Sequence, residues 1–208
     1  MSRSERFWDK AAHTYDQQEK KAEPTYRSIM QRTQKHLKPS DIVLEVGCGT
    51  GLMTNEMAQY VSSIHAIDLS SNMIAIAAKK AQERGITNVD YIHTTLMDER
   101  FKRGAYDVIF AFHVLHLLED ERKALRRLNE MLKPGGLLIS TTPCVGEKPL
   151  LKGLLSLLGK AGLAPTIKPF KGAALARTIE EEAAFSVVES VCLKKNTREY
   201  FIIAAKKL

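Results

Sequence analysis

The sequence predicts an α/β fold built on a doubly wound, mostly parallel β-sheet with helices on both faces. From residue 41 onward, short β-branched apolar runs alternate with longer segments of helical period, which is typical of such a sheet. The last two apolar runs are separated only by the short polar stretch 194–198. This spacing suits a hairpin and predicts an antiparallel last strand. The 208 residues are enough for one core, and we expect a single domain over 1–208.

The apolar runs predict the strands directly. They lie at 42–46, 63–67, 89–93, 106–111, 137–140, 185–188 and 200–203. Helices are predicted at 55–60, 72–84 and 119–132, the last ended by Pro134-Gly135-Gly136. Residues 7–37 also read as helical but precede the alternating pattern, so they are a candidate lid.

Charge alone suggests a nucleic-acid partner, because 31 Lys+Arg against 24 Asp+Glu give a net charge of +7. The basic residues are nevertheless scattered as pairs such as Lys20-Lys21 and Arg126-Arg127, which favours a solvated surface over a binding stripe. With 44% hydrophobic and 26% charged residues, the composition excludes a disordered chain.

The cysteines and the apolar runs predict the cellular compartment of the protein. The three cysteines have no metal-ligand spacing, which favours a reducing compartment over disulfides or a zinc site. The first residues lack the apolar core of a signal peptide, and no run reaches the ~20 apolar residues of a membrane span. We expect a cytoplasmic protein without a membrane span.

A glycine-rich turn is the densest chemical signal. The strand 42–46 runs directly into Gly47, Gly49 and Gly51, so a ligand can approach the main chain where a helix begins. Asp68 ends the second predicted strand, which places it at the same sheet edge. A carboxylate there can accept two hydrogen bonds from a ribose diol, so the pattern predicts an adenosine site.

The charge of that ligand follows from the surrounding residues. The dinucleotide fingerprint G-x-G-x-x-G requires a third glycine where Leu52 stands, which weakens a pyrophosphate interpretation. Glu45, two residues before the first glycine, repels phosphate and attracts a cation. These features favour an adenosine ligand that carries positive charge.

These residues resemble the class I S-adenosylmethionine-dependent methyltransferases. The matching motifs are 45–51, 68–73, 106–110 with 114–116, and 132–136, in the family's order. The N-terminal stretch 8–16 is similar to the small-molecule branch that includes quinone-biosynthesis methyltransferases. The resemblance implies a Rossmann-like, seven-stranded sheet with the last strand antiparallel. It also implies S-adenosyl-L-methionine as cofactor, S-adenosyl-L-homocysteine as product, and a small-molecule acceptor.

The resemblance further implies a division of the chain into a lid (1–38), a cofactor-binding half (39–145), and acceptor-side helices with a terminal hairpin (146–208). Its cofactor-binding positions comprise residues of the first motif, the second-strand acid and its helix, and residues after strands three and four. They are Glu45, Gly47, Cys48, Gly49, Gly51, Asp68, Leu69, Met73, Thr95, Leu96 and the main chain at Ala111. Either Thr95 or Asp98 takes the position that bonds the adenine amino group.

Three residues are candidates for catalysis. His113 and His116 follow the fourth predicted strand at the ligand edge, where a histidine could take a proton from a phenol or hydroxyl acceptor. The alternative for His116 is packing at a helix start. Tyr15 could close over the cofactor's carboxylate from the lid, or simply pack.

Two rival functions remain open at this point. Base-modifying methyltransferases of this fold carry an Asn/Asp-Pro-Pro-aromatic run after strand four, whereas this chain has Phe110-Ala-Phe112-His113. A nucleic-acid (RNA) methyltransferase is therefore disfavoured, and a non-catalytic cofactor-binding module is not excluded. The acceptor is expected to contact residues 7–37 and 147–184. The apolar run 150–158 either lines its pocket or belongs to the core.

Overall fold

The computed structural model of the chain describes residues 2–19, 22–147, 153–155, 157–159, 164–194 and 198–207. Within them, one seven-stranded sheet runs in the order β3-β2-β1-β4-β5-β7-β6. The strands are β1 (Ile42–Val46), β2 (Ser63–Asp68), β3 (Val89–His93), β4 (Tyr106–Phe112), β5 (Leu132–Pro143), β6 (Phe185–Lys194) and β7 (Glu199–Lys206). β1 to β5 pair in parallel, and β7 is antiparallel to both β5 and β6. The predicted fold class and the antiparallel last strand are confirmed.

Helices flank the sheet on both faces. They are α1 (Arg3–Glu19), α2 (Glu23–Thr33), α3 (Leu52–Met57), α4 (Ser71–Glu83), α5 (Glu121–Met131) and α6 (Gly172–Ala183). The predicted helical segment 7–37 comprises α1, α2 and a short 3₁₀ turn at Gln34–His36. α2 and α3 contribute to one apolar core cluster, and α5 and α6 contribute to the other.

The central strands are buried because helices cover both of their faces, as a parallel sheet requires. Val43, Leu44, Ile109 and Phe110 are each fully buried. Residues that alternate along one strand belong to different clusters: Val43 packs with Ile29 of α2, whereas Leu44 belongs to the cluster of α5 and α6. Sheet and helices therefore form two apolar layers that fix the strand ends.

α5 shows why the local sequence forms a helix. Asp120 caps it, since its carboxylate accepts a hydrogen bond of 2.9 Å from the Lys123 N–H. Its apolar stripe is buried and faces the sheet; the residues are Ala124, Leu125, Leu128 and Met131.

The start of the fifth strand was predicted wrongly. We expected a turn at Pro134-Gly135-Gly136 and a strand from 137, whereas β5 begins at Leu132, directly after α5. The ladder pairs Tyr106 with Leu132 and next Val108 with Leu137, so β5 has extra residues there. Proline has no N–H to give to a ladder, and the glycines allow the irregular backbone that accommodates the surplus.

Two predicted segments lie partly outside the described residues. Residues 150–152 and 156 of the apolar run 150–158 are among them, as are residues 195–197 of the predicted hairpin turn. In the ranges that the structure describes, no helix has both the length and the apolar character needed to span a bilayer.

We predict that Leu128→Ala lowers the free energy of unfolding by about 2–5 kcal/mol, because it removes a side chain with no solvent exposure from the α5 core. Leu157→Ala is the matched control, since Leu157 is 67% exposed and its truncation should cost below about 0.5 kcal/mol. Urea unfolding of both variants measures the difference. Equal losses would contradict this assignment of the core.

Candidate functional site

The site lies where the carboxyl ends of β1, β2 and β4 meet. The strand order reverses at β1, with β2 on one side and β4 on the other, and ligands of open α/β sheets bind at such a switch point. A cavity of about 480 Å³ opens there. Its wall combines the strand ends with residues of α1 and α2, together with Pro165 and Thr166.

The turn after β1 is fixed to the end of β2 by the main chain. The N–H groups of Gly47 and Cys48 both donate to the carbonyl oxygen of Ile67, at 2.8 and 3.1 Å. Gly47 has φ +72°, and a Cβ there would lie 2.7 Å from Cγ2 of Val114. Because both the dihedral and the space exclude a side chain, only glycine allows this close approach of the turn to the chain after β4.

Asp68 is held by two main-chain donors. The Gly49 N–H donates to its Oδ2 at 2.9 Å and the Ser70 N–H donates to its Oδ1 at 2.8 Å. Burial raises the pKa of this carboxyl above its ordinary value, while the bonds from Ser70 and Gly49 oppose that rise. A carboxylate has about four acceptor positions, so one on each oxygen stays available to a ligand.

Glu45 and Cys48 add two buried titratable groups to the same wall. Burial raises the pKa of Glu45 to about 7, opposed by the nearby Thr54 hydroxyl and helped by the nearby charge of Asp68. Among the described residues, Oε2 of Glu45 has no hydrogen-bond partner. The pKa of the Cys48 thiol is also raised, chiefly by burial, so Cys48 acts as a small side chain rather than a nucleophile.

Leu69, Met73, Thr95 and Leu96, for which cofactor contacts are predicted, line the same cavity as Asp68. Asp98 is absent from this wall. Its carboxylate accepts hydrogen bonds from the Thr94 hydroxyl at 2.7 Å and from the Arg100 side chain. Of the two alternatives for the adenine contact, the geometry therefore favours Thr95.

Two carboxylates attach α1 to this edge of the sheet. Asp9 accepts a hydrogen bond of 2.6 Å from the Ser70 hydroxyl. Asp16 accepts one of 2.5 Å from the Thr50 hydroxyl and forms an ion pair with Lys80. α1 is therefore bonded both to the start of α4 and to the glycine-rich turn, and it covers the cavity.

Aromatic rings from α1 and α2 line the covered side. Trp8, Tyr15 and Tyr26 all contribute to the wall, and the Trp8 and Tyr15 rings meet edge to face with centroids 6.2 Å apart. The Tyr26 hydroxyl donates to Oε2 of Glu19 at 2.6 Å. Burial raises the pKa of both tyrosines well above the ordinary value, so both hydroxyls keep their protons.

His113 also lines the cavity, directly after β4 and next to the Tyr26 ring. Its φ of +53° is unusual for a residue with a side chain and costs roughly 1–3 kcal/mol. The backbone holds this conformation through the His113 N–H, which donates to the Thr141 carbonyl at 2.9 Å. The ring Nε2 lies 2.7 Å from Oε1 of Glu199, a buried residue at the start of β7.

Three of the predicted site residues lie outside the cavity wall. Gly51 begins α3 and faces the neighbouring elements, since a Cβ on it would lie 2.7 Å from the Tyr91 hydroxyl oxygen. Ala111 is fully buried within β4, and the wall instead uses the next two residues, Phe112 and His113.

His116 is the third. It lies in the 3₁₀ turn Leu115–Leu117, is buried, and has an Nδ1 without a hydrogen-bond partner among the described residues. Burial and, secondarily, the charge of His113 lower its pKa to about 3, so the ring is neutral at physiological pH. The packing alternative fits this geometry better than a catalytic role.

The sequence interpretation missed four residues of the site region. They are Asp9, Asp16, Tyr26 and Glu199. Asp9 and Asp16 sit in the N-terminal stretch that carried the family resemblance, so their charge next to the aromatic residues was a usable signal. Nothing local marks Glu199, because its partner His113 is 86 residues away.

Comparison with known proteins agrees with this architecture. Residues 44–140 match the family model described as a methyltransferase domain. The matched range contains most of β1, all of β2 to β4, most of β5, the glycine-rich turn and Asp68.

Two curated relatives extend the match to about two thirds of the chain. A demethylmenaquinone methyltransferase of Lactococcus lactis is 27% identical, covering 67% of this chain and 54% of its own length. A malonyl-[acyl-carrier protein] O-methyltransferase of Halalkalibacterium halodurans is 31% identical, with 66% and 54% covered. The chain spans 24–54% of the length of the first four relatives compared.

A solved structure supports the fold across more of the chain. The N-methyltransferase NodS of Bradyrhizobium japonicum, crystallised with S-adenosyl-L-homocysteine, superposes with a TM-score of 0.67 at 18% identity. The superposition covers 88% of this chain and 86% of NodS. Together with the sheet order and the position of Asp68 beside the glycine-rich turn, these matches show that residues 44–140 are similar to a methyltransferase domain and that the chain shares its fold with NodS.

Proposed function

We propose that this chain transfers a methyl group from S-adenosylmethionine to a small-molecule acceptor. One observation carries the proposal: the Asp68 carboxylate, the glycine-rich turn, His113 and the aromatic rings of α1 and α2 all line a single cavity. The carboxylate and the turn suit a nucleoside, and the rest of the wall suits a second, smaller reactant. Positioning both in one covered cavity is the main requirement of a displacement reaction.

The residues present fit S-adenosylmethionine. Asp68 keeps one acceptor position on each oxygen after its two main-chain bonds, which matches the two hydroxyls of a ribose. Leu69, Met73 and Leu96 offer an apolar surface for the adenine ring. The unpartnered Oε2 of Glu45 supplies negative charge toward a cationic ligand. When bound, the cofactor supplies a methyl group already activated by the positive charge on sulfur.

The chain's own contribution is mainly orientation and exclusion of water. Holding two reactants in line can supply roughly 7–11 kcal/mol of the barrier reduction. α1, bonded through Asp9 and Asp16, covers the cavity, and Trp8 and Tyr15 close its side. We assign residues 1–38 as a lid on this basis, 39–145 as the cofactor-binding half, and 146–208 as the acceptor side.

A small acceptor is favoured over a nucleic acid by the shape of the site and by its charges. The cavity is covered by α1 and α2, and its wall is largely apolar. The basic residue Arg127 serves the fold, since its guanidinium donates to the carbonyl oxygens of Phe101 and Asp98. A quinone-type acceptor is consistent with the demethylmenaquinone methyltransferase relative.

We predict that purified protein forms S-adenosylhomocysteine from S-adenosylmethionine when a small-molecule extract is supplied, and that RNA or DNA in its place gives none. Mass spectrometry of the product measures turnover. Binding of the cofactor without any turnover would instead indicate a non-catalytic module. Turnover that depends on added RNA would support the nucleic-acid alternative.

Asp68→Asn should weaken S-adenosylhomocysteine binding by about 10–100-fold, because hydrogen bonds to a charged group contribute roughly 1.5–3 kcal/mol. Asp90→Asn on neighbouring β3 is the matched control, since its side chain is exposed and lies outside the cavity wall. Isothermal titration calorimetry compares the dissociation constants. An unchanged dissociation constant for Asp68→Asn would contradict the proposal that Asp68 binds the ribose hydroxyls.

Glu45 makes the stability of the cofactor-free protein depend on pH. Its folded pKa of about 7 exceeds the ordinary 4.5, so the folded state holds the proton more tightly than the unfolded chain. This contribution to stability is complete below about pH 4.5 and is lost as pH rises through 7, by up to about 3 kcal/mol.

We therefore expect Glu45→Gln to gain stability relative to the wild type as pH rises from 5 to 8. Urea unfolding at pH 5, 6, 7 and 8 gives the difference between the two proteins, which cancels the contributions of groups that do not interact with Glu45. A difference that stays constant over this range would show that Glu45 ionises normally.

A further inference from the structure

We propose that Glu199 is a positioning residue that holds His113 as a general base, and that the acceptor accordingly carries a proton it must lose. Acceptors of this kind are hydroxyls, phenols and amines, whereas a carboxylate needs no base. The inference rests on the proposed methyl transfer and narrows its substrate class.

The first support is geometric. Nε2 of His113 lies 2.7 Å from Oε1 of Glu199, and the His113 ring also borders the cavity. Glu199 is buried and the His113 side chain is 25% exposed, so solvent screens this pair less than it screens exposed ion pairs. This differs from the exposed pairs of the surface, such as Arg27 with Glu23.

The second support is that two separate constraints place the histidine. Its positive φ departs from the extended backbone of β4, and its backbone N–H donates a hydrogen bond to the Thr141 carbonyl oxygen. Glu199 pairs through its backbone with Pro143 and Lys194, so its side chain is anchored by the sheet. Strained residues held in this way are concentrated at functional sites.

The chemistry follows from the donor roles. A carboxylate only accepts hydrogen bonds, so Nε2 carries the proton toward Glu199 and Nδ1 carries the lone pair. The acceptor's proton passes to Nδ1 while the acceptor's electron pair forms the new bond to the methyl carbon. The bond between that carbon and sulfur breaks, and its electron pair stays on sulfur to give the neutral thioether. The imidazolium, stabilised by Glu199, later releases the proton to water.

Other groups near His113 do not replace Glu199. The Tyr26 ring packs against it edge to face with centroids 5.7 Å apart, but the Tyr26 hydroxyl donates to Glu19. His116 is the other titratable neighbour, and it is neutral. Among the described residues, Glu199 is thus the carboxylate that contacts and can orient the ring.

The first test needs no acceptor. Nitrogen-15 NMR of the His113 ring at pH 8, with S-adenosylhomocysteine added, should show a single tautomer with the proton on Nε2. Glu199→Gln should give a mixture, because an amide can both donate and accept. A wild-type ring protonated on Nδ1 would overturn the proposal.

The second test compares two hydroxyl acceptors at one pH. Catechol is neutral at pH 8 and needs a base, whereas 4-nitrocatechol is already ionised. Glu199→Gln should lower kcat for catechol by about 10–100-fold and leave kcat for 4-nitrocatechol and the KM for S-adenosylmethionine within about twofold. His113→Asn should lose about 10²-fold or more with catechol.

Glu189→Gln is the matched control. Glu189 lies on the neighbouring strand β6 and pairs with Arg32 and His36, outside the cavity wall. Its substitution should leave both rates unchanged. An equal loss with both catechols in Glu199→Gln would indicate a structural role and overturn the proposal.

Different results would refute the methyl transfer and the role of the His113–Glu199 pair. If S-adenosylhomocysteine forms only with a carboxylate acceptor such as benzoate, and His113→Asn retains that rate, methyl transfer stands and the role of the pair is refuted. If calorimetry detects no cofactor binding and no probe is methylated, the proposed function fails, and the His113–Glu199 inference fails with it.

Discussion

Two main-chain hydrogen bonds to one carboxylate organise this protein. The N–H groups of Gly49 and Ser70 hold the two oxygens of Asp68, and thereby connect the turn after β1 with the end of β2 and the start of α4. The turn is tied a second time, because Gly47 and Cys48 donate to Ile67 one residue before Asp68. A buried acid would ordinarily favour its neutral form, and these donors offset part of that cost. The same arrangement leaves acceptor positions free at the edge where the cavity opens.

The N-terminal helix α1 is attached to the same two segments, the start of α4 and the glycine-rich turn. Ser70 caps α4 by accepting from the Met73 N–H, and its hydroxyl in turn donates to Asp9 of α1. Within the glycine-rich turn, the Thr50 hydroxyl donates a hydrogen bond to Asp16 of α1. The residues that bind α1 are therefore chain neighbours of the residues that hold Asp68. Covering the cavity and shaping the nucleoside end are coupled through a few short contacts.

Much of the fold could be predicted because it depends on local patterns. Alternating apolar runs gave β1 to β4 within a residue or so, and the position of Asp68 followed from where parallel strands end. The start of β5 could not be predicted in this way, since the ladder with β4 accommodates surplus residues around Pro134 and Gly135. The shift in register arises from the pairing of β4 with β5, and the residues of the turn alone do not predict it.

The part of the cavity around His113 was harder to predict for the same reason. His113 and His116 are three residues apart, and the sequence interpretation weighted His116 above His113. The two residues differ in backbone conformation. His113 has a positive φ and lines the cavity, whereas His116 is buried in the 3₁₀ turn. Glu199 cannot be recognised until β7 pairs with β5, which brings the start of β7 within hydrogen-bond distance of the His113 ring.

The most direct measurement is a crystal structure of the protein with S-adenosylhomocysteine bound. The account predicts that the two ribose hydroxyls lie within hydrogen-bond distance of the two Asp68 oxygens, while the Gly49 and Ser70 N–H groups keep their bonds to the same carboxylate. A nucleoside bound elsewhere, or one whose ribose leaves Asp68 without contact, would contradict it.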